Sequence, residues 1–81
     1  MSAQHTPGRV ALQAVINAVR AAAGAAGDAS GNCDAAMHHA EHGANEKAAQ
    51  QMEWAEENAR SALHRITEAR AAIANATGST S

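Results

Sequence analysis

Aromatic side chains are almost absent from this 81-residue chain: it has no phenylalanine and no tyrosine, and Trp54 stands alone. Large aliphatic residues are scarce too. Val10, Leu12, Val15, Ile16, Val19, Leu63, Ile66 and Ile73 are the only valines, leucines and isoleucines, against 24 alanines. The apolar content is therefore mostly methyl groups, each stabilising by about 0.8 kcal/mol when buried. A chain of this length buries a modest share of its surface even with an ordinary core, so an isolated monomer is expected to be marginal. The single Cys33 excludes an internal disulfide and fits a reducing compartment. Six Lys and Arg against eight Asp and Glu leave a net charge of −2. Arg60, Arg65 and Arg70 are spaced to spread around a helix, so no basic patch for nucleic acid is expected. The N-terminus lacks the basic-then-apolar layout of a secretion signal, and no segment reads as apolar enough to span a membrane.

What is present is alanine with a period. Ala48, Ala55, Ala62 and Ala69 recur every seventh residue and alternate with Met52, Ala59, Ile66 and Ile73. The resulting 4-3 spacing is a heptad seam with alanine at every second position. Alanine is the strongest helix former, and small residues on a seam let two helices approach closely. Disorder would call for a higher net charge than this chain carries. Ordered helices completed by association are the expectation.

The fold expected is all-α: a helical hairpin or small three-helix arrangement with a long heptad-patterned C-terminal helix. Residues 1–5 read as a flexible N-terminal arm. Thr6 as N-cap and Pro7 at the first helical position begin a helix over 6–26, with a seam at Leu12, Ile16, Val19, Ala23 and Ala26, widened by Val15 and Ala22. Gly27-Asp28-Ala29-Ser30-Gly31-Asn32 has turn composition, and a helix over 33–42 follows. A break or kink at Gly43 is suggested by charge order: Glu46, Glu53, Glu56 and Glu57 precede Arg60, Arg65 and Arg70, which suits the dipole of a helix starting near Asn45. That long helix runs over 45–76 and leaves a flexible tail at 77–81. A first helix of about 20 residues cannot cover a second region about twice as long, which again points to association.

Function is less legible. The leading expectation is a non-catalytic structural or adaptor protein that self-associates or docks on a helical partner. A phage or bacterial particle component is one setting, with a location in the cytoplasm or within a phage particle. Ala48, Met52, Ala55, Ala59, Ala62, Ile66, Ala69 and Ile73 form the candidate contact. Trp54 and Leu63 are added as anchors, since a large aromatic off the seam is a common interface residue. The alternative is a small metal-binding protein. Asp34, His38 and His42 share one helix stripe, and His38, Glu41 and His42 are candidate ligands for zinc or copper, with Cys33 and His64 in reserve. The order His38-His39-Ala40-Glu41-His42 is not the H-E-x-x-H of a metalloprotease helix. Cys33 has no base at helical reach and no oxyanion loop, so no catalytic nucleophile is expected.

Size and hairpin layout are similar to those of the WXG100 secretion family. That family's W-x-G turn has no counterpart, since Trp54-Ala55-Glu56 falls inside a predicted helix. The resemblance therefore covers layout only, and no function is carried over from it.

Overall fold

The computed structural model describes residues 8–78, which form helix α1, Arg9–Glu41, and helix α2, Asn45–Gly78. The two run side by side as an all-α helical hairpin, with no strand among the described residues. The expected arm at 1–5, the Thr6-Pro7 helix start and residues 79–81 lie outside the described residues. Within them, α1 begins at Arg9 behind Gly8, whose carbonyl accepts the first helical bond from the Leu12 amide. Thr77 and Gly78, expected in the tail, belong to α2.

The turn is made by Gly43. Its φ of +76° is the left-handed conformation that costs an L-residue roughly 1–2 kcal/mol and glycine almost nothing. The Gly43 amide donates to Ala40 O at 3.0 Å and the Ala44 amide to His39 O at 2.8 Å. This paired arrangement is a Schellman motif, which satisfies carbonyls that the end of α1 would otherwise leave unpaired. His38 and His39 sit in the last turn of α1, and Glu46 in the first turn of α2. The break expected at Gly43 is thus present.

The turn expected at 27–32 is not. Gly27, Asp28, Ala29, Ser30, Gly31 and Asn32 continue α1 without interruption, and the expected helix over 33–42 is its second half. Each glycine costs about 1 kcal/mol relative to alanine inside a helix. Packing against α2 along the whole length offsets that cost. With helices of 33 and 34 residues, the length mismatch expected from a short first helix disappears.

Packing between the helices is almost entirely alanine. The buried side chains are Ala22, Ala36, Ala55, Ala62 and Ala69. Half-buried neighbours extend the line along α1 through Ala11, Val15, Ala18, Ala25, Ala29, Asn32 and His39. Beside the turn and along α2 they are Ala44, Ala48, Gln51, Asn58, Ala72 and Ala76. Small side chains on both sides give a rod only 15 × 13 Å across its backbone. The line on α1 follows the widening residues Val15 and Ala22, one residue from the expected seam: Leu12, Ile16 and Val19 are exposed, and Ala23 and Ala26 also face outward. The alanines of α2 hold the backbones too close for leucine or isoleucine between them.

One expectation about membranes also changes. The most apolar 18-residue stretch of α1 has a mean hydropathy of 1.3, so by length and composition this helix is long and apolar enough to cross a membrane. Core helices of soluble proteins that meet the same measure are mostly buried, whereas this stretch is largely exposed on the hairpin.

Candidate functional site

The buried lines position everything else on the hairpin. Each line is a series of pairs three residues apart, such as Ala55 and Asn58 on α2 or Ala29 and Asn32 on α1. A residue just after such a pair falls on one flank of the helix, and a residue just before it on the other. Antiparallel neighbours are related by an approximate two-fold axis perpendicular to the hairpin plane, and that axis leaves each face on itself. Residues with the same offset therefore share a face.

On one face this places Leu12, Val19, Ala26 and Cys33 of α1 beside Met52, Ala59, Ile66 and Ile73 of α2. Ile16 and Met37 of α1 and Leu63 of α2 widen the same stripe. Most of the large apolar residues lie here, yet they stay open: Leu12 is 47% exposed, Met52 50% and Ile66 42%, whereas Val15 is half-buried between the helices. The opposite face holds Asp28, Lys47, Ser61 and Glu68 with Ala14, Ala21 and Ala35. Trp54, 44% exposed, belongs to this second face. Trp54 and Ile66 thus do not form one patch.

The expected contact set is divided between two uses. Ala48, Ala55, Ala62 and Ala69 turn onto α1 and are covered within the chain. Met52, Ala59, Leu63, Ile66 and Ile73 remain on the outer face, and Trp54 lies opposite. Alanine inside and larger residues outside is an inversion of ordinary globular packing.

Polar chemistry between the helices is concentrated at one level. Asn58 donates from Nδ2 to Asn32 Oδ1 at 2.6 Å, and Asn32 donates from Nδ2 to Gln51 Oε1 at 3.0 Å. All three residues are half-buried, so this chain of amides ties α1 to two points on α2 that lie two helical turns apart. None was expected as a partner; Asn32 was expected in the turn at 27–32. Their signal is positional, because Gln51 and Asn58 each follow a seam alanine by three residues.

The histidines gather at the end of α1. His38 and His42 have ring centroids 4.4 Å apart, and His39 lies 6.0 Å from His38. His42 Nδ1 lies 2.9 Å from the His38 carbonyl oxygen; donating there leaves Nε2 as the free acceptor, the form in which imidazole binds metals. Among the described residues no three His, Cys, Asp or Glu side chains converge. Glu41 and Cys33 are exposed, Cys33 is in mid-helix and not at a helix start, and His64 engages Glu68 at 3.5 Å on α2. Two open surface grooves lie beside the Gly43 turn and along the first turns of α2, as far as Glu53.

Comparison with protein-family models, curated proteins and solved structures finds no match for this chain.

Proposed function

We propose that this hairpin is a non-catalytic assembly module, which packs helix to helix against itself or another helical protein through the face bearing Leu12, Val19, Met52 and Ile66. The observation that carries the reading is the inverted packing. The leucines, isoleucines and described methionines are left outside, aligned on one flank along both helices, with Trp54 on the other. Fully burying such a side chain stabilises by about 1.5–3 kcal/mol, and roughly half of that remains available at each. The alanine seam has a matching role: heptad-type packing of small residues makes a stiff, narrow rod on which the apolar stripe stays straight.

A lipid bilayer is a poorer cover. The apolar stretch of α1 contains Gln13, Asn17 and Arg20, and an arginine at a bilayer centre costs about 2.5–3.5 kcal/mol even on the lower scales. The stripe is also shared with α2, which carries Glu53, Glu56, Glu57, Arg60, Arg65 and Arg70.

The test is mass by sedimentation together with helicity across a dilution series. A complex whose helicity falls on dilution is expected. A stable monomer with concentration-independent helicity would overturn the reading.

A second reading, favoured by the 4.4 Å approach of His38 and His42, is divalent-metal binding with both rings as ligands and Glu41 as a third. It predicts a heat of zinc or copper binding that is lost in the His38→Ala/His42→Ala double variant. No heat at micromolar metal removes it.

A further inference from the structure

We infer that the partner on the apolar face is a second copy of this chain, stacked with its Gly43 turn at the opposite end, so that two hairpins complete a four-helix bundle. The inference rests on the assembly reading above and names its partner.

Area is the first support. The 34 residues of α2 extend about 50 Å. With a backbone width of 15 Å, each face offers roughly 700 Å². Two such faces bury roughly 1,400 Å² in total, within the range of about 1,200–2,000 Å² typical of specific interfaces.

Shape is the second. A two-fold axis crossing the hairpin at mid-height lays α1 on α1 and α2 on α2, each antiparallel. If the axis passes between Ala23 and Ala26 on α1, it passes between Ala59 and Leu63 on α2. Both helices then overlap end to end with one operation. Ile16 meets the partner's Cys33 and Leu63 the partner's Ala59, while Leu12 meets the partner's Met37 and Ile66 the partner's Glu56.

Charge is the third. The stripe on α1 carries Arg9 at its N-terminal end and Cys33, and that on α2 carries Glu56 and Arg70. The proposed stacking brings Glu56 within one helical turn of the partner's Arg70, twice per dimer. Within the hairpin Glu56 holds Arg60 at 2.8 Å on an open surface, and Arg70 has no ion pair among the described residues. Stacking with both turns at the same end lays α1 on the partner's α2. Both charges would then face an apolar stripe unpaired, which disfavours that orientation.

The decisive experiment is mild oxidation of the full-length Ile16→Cys variant, read on a non-reducing gel beside sedimentation of the unsubstituted chain. Cys33 is then the only other thiol, and it lies about 25 Å along the same helix, too far for a bond within one chain. A disulfide between the new thiol and the partner's Cys33 is expected, giving a covalent dimer. None is expected from the unsubstituted chain or from Ile16→Cys/Cys33→Ser. Glu56→Arg is expected to weaken the dimer about tenfold, and adding Arg70→Glu to restore it. A sedimenting oligomer without the Ile16→Cys cross-link overturns the stacking and leaves the assembly reading standing. A monomer with concentration-independent helicity overturns both.

Discussion

At Gly43 a left-handed backbone and two turn-closing hydrogen bonds meet in one residue. Gly27 and Gly31 have the opposite character: they are helical, and open space lies where a Cβ would stand. Alanine at Gly27 or Gly31 is expected to stabilise by about 0.5–1 kcal/mol each. Alanine at Gly43 is expected to destabilise by roughly 1–2 kcal/mol. Urea denaturation of the three single variants checks both signs. A loss of stability in Gly27→Ala would contradict the continuous α1. Both positions look alike in the sequence, as glycines beside polar residues. The acidic-to-basic order after Gly43 marked the true break, whereas Gly27-Asp28 and Ser30-Gly31-Asn32 carry turn chemistry that the long helix overrides.

Between the two helices, the amides of Asn32, Gln51 and Asn58 set the register. Asn32→Ala removes the central member and leaves Asn58 and Gln51 without their cross-helix bonds. The expected loss is about 1–2 kcal/mol. A double-mutant cycle between Asn32 and Asn58 is expected to give a coupling of roughly 0.5–1.5 kcal/mol. The alanine seam is tested separately. Ala62 is 6% exposed, so Ala62→Leu overpacks the helix contact and is expected to cost about 1–3 kcal/mol. The neighbouring Leu63 is 65% exposed, and Leu63→Ala is expected to leave the hairpin's own unfolding nearly unchanged while weakening association. The seam alanines of α2 were legible because their period of seven survives any rotation. The facing line on α1 was not, since two adjacent lines there are both apolar and both spaced 4-3. Only the close approach imposed by α2 chooses the alanine line and turns Leu12, Ile16 and Val19 outward.

The whole molecule is a slender rod with little core of its own, so its stability is expected to depend on concentration. Thermal midpoints measured by circular dichroism should rise as the protein concentration rises, by mass action. Ile66→Glu is expected to abolish that dependence, because a carboxylate would enter an apolar contact without a partner. Sulfate is expected to strengthen association, whereas moderate sodium chloride should change it little, as two ion pairs contribute less than the apolar area. A midpoint that stays constant over a hundredfold dilution would contradict an association-dependent rod.

Taken by itself, the sequence determined the all-α class, the long C-terminal helix, a break at Gly43 and the poverty of the core. These follow from local preferences and from counts: alanine favours helix, glycine favours the left-handed turn, and too few large residues exist to fill an interior. Tertiary structure alone decided that α1 runs unbroken from Arg9 to Glu41, that the alanines of both helices face each other, and that the larger apolar residues share one outer face. Those outcomes depend on how close two helices lie. That distance is set jointly by the side chains of both, and no window of either helix contains it.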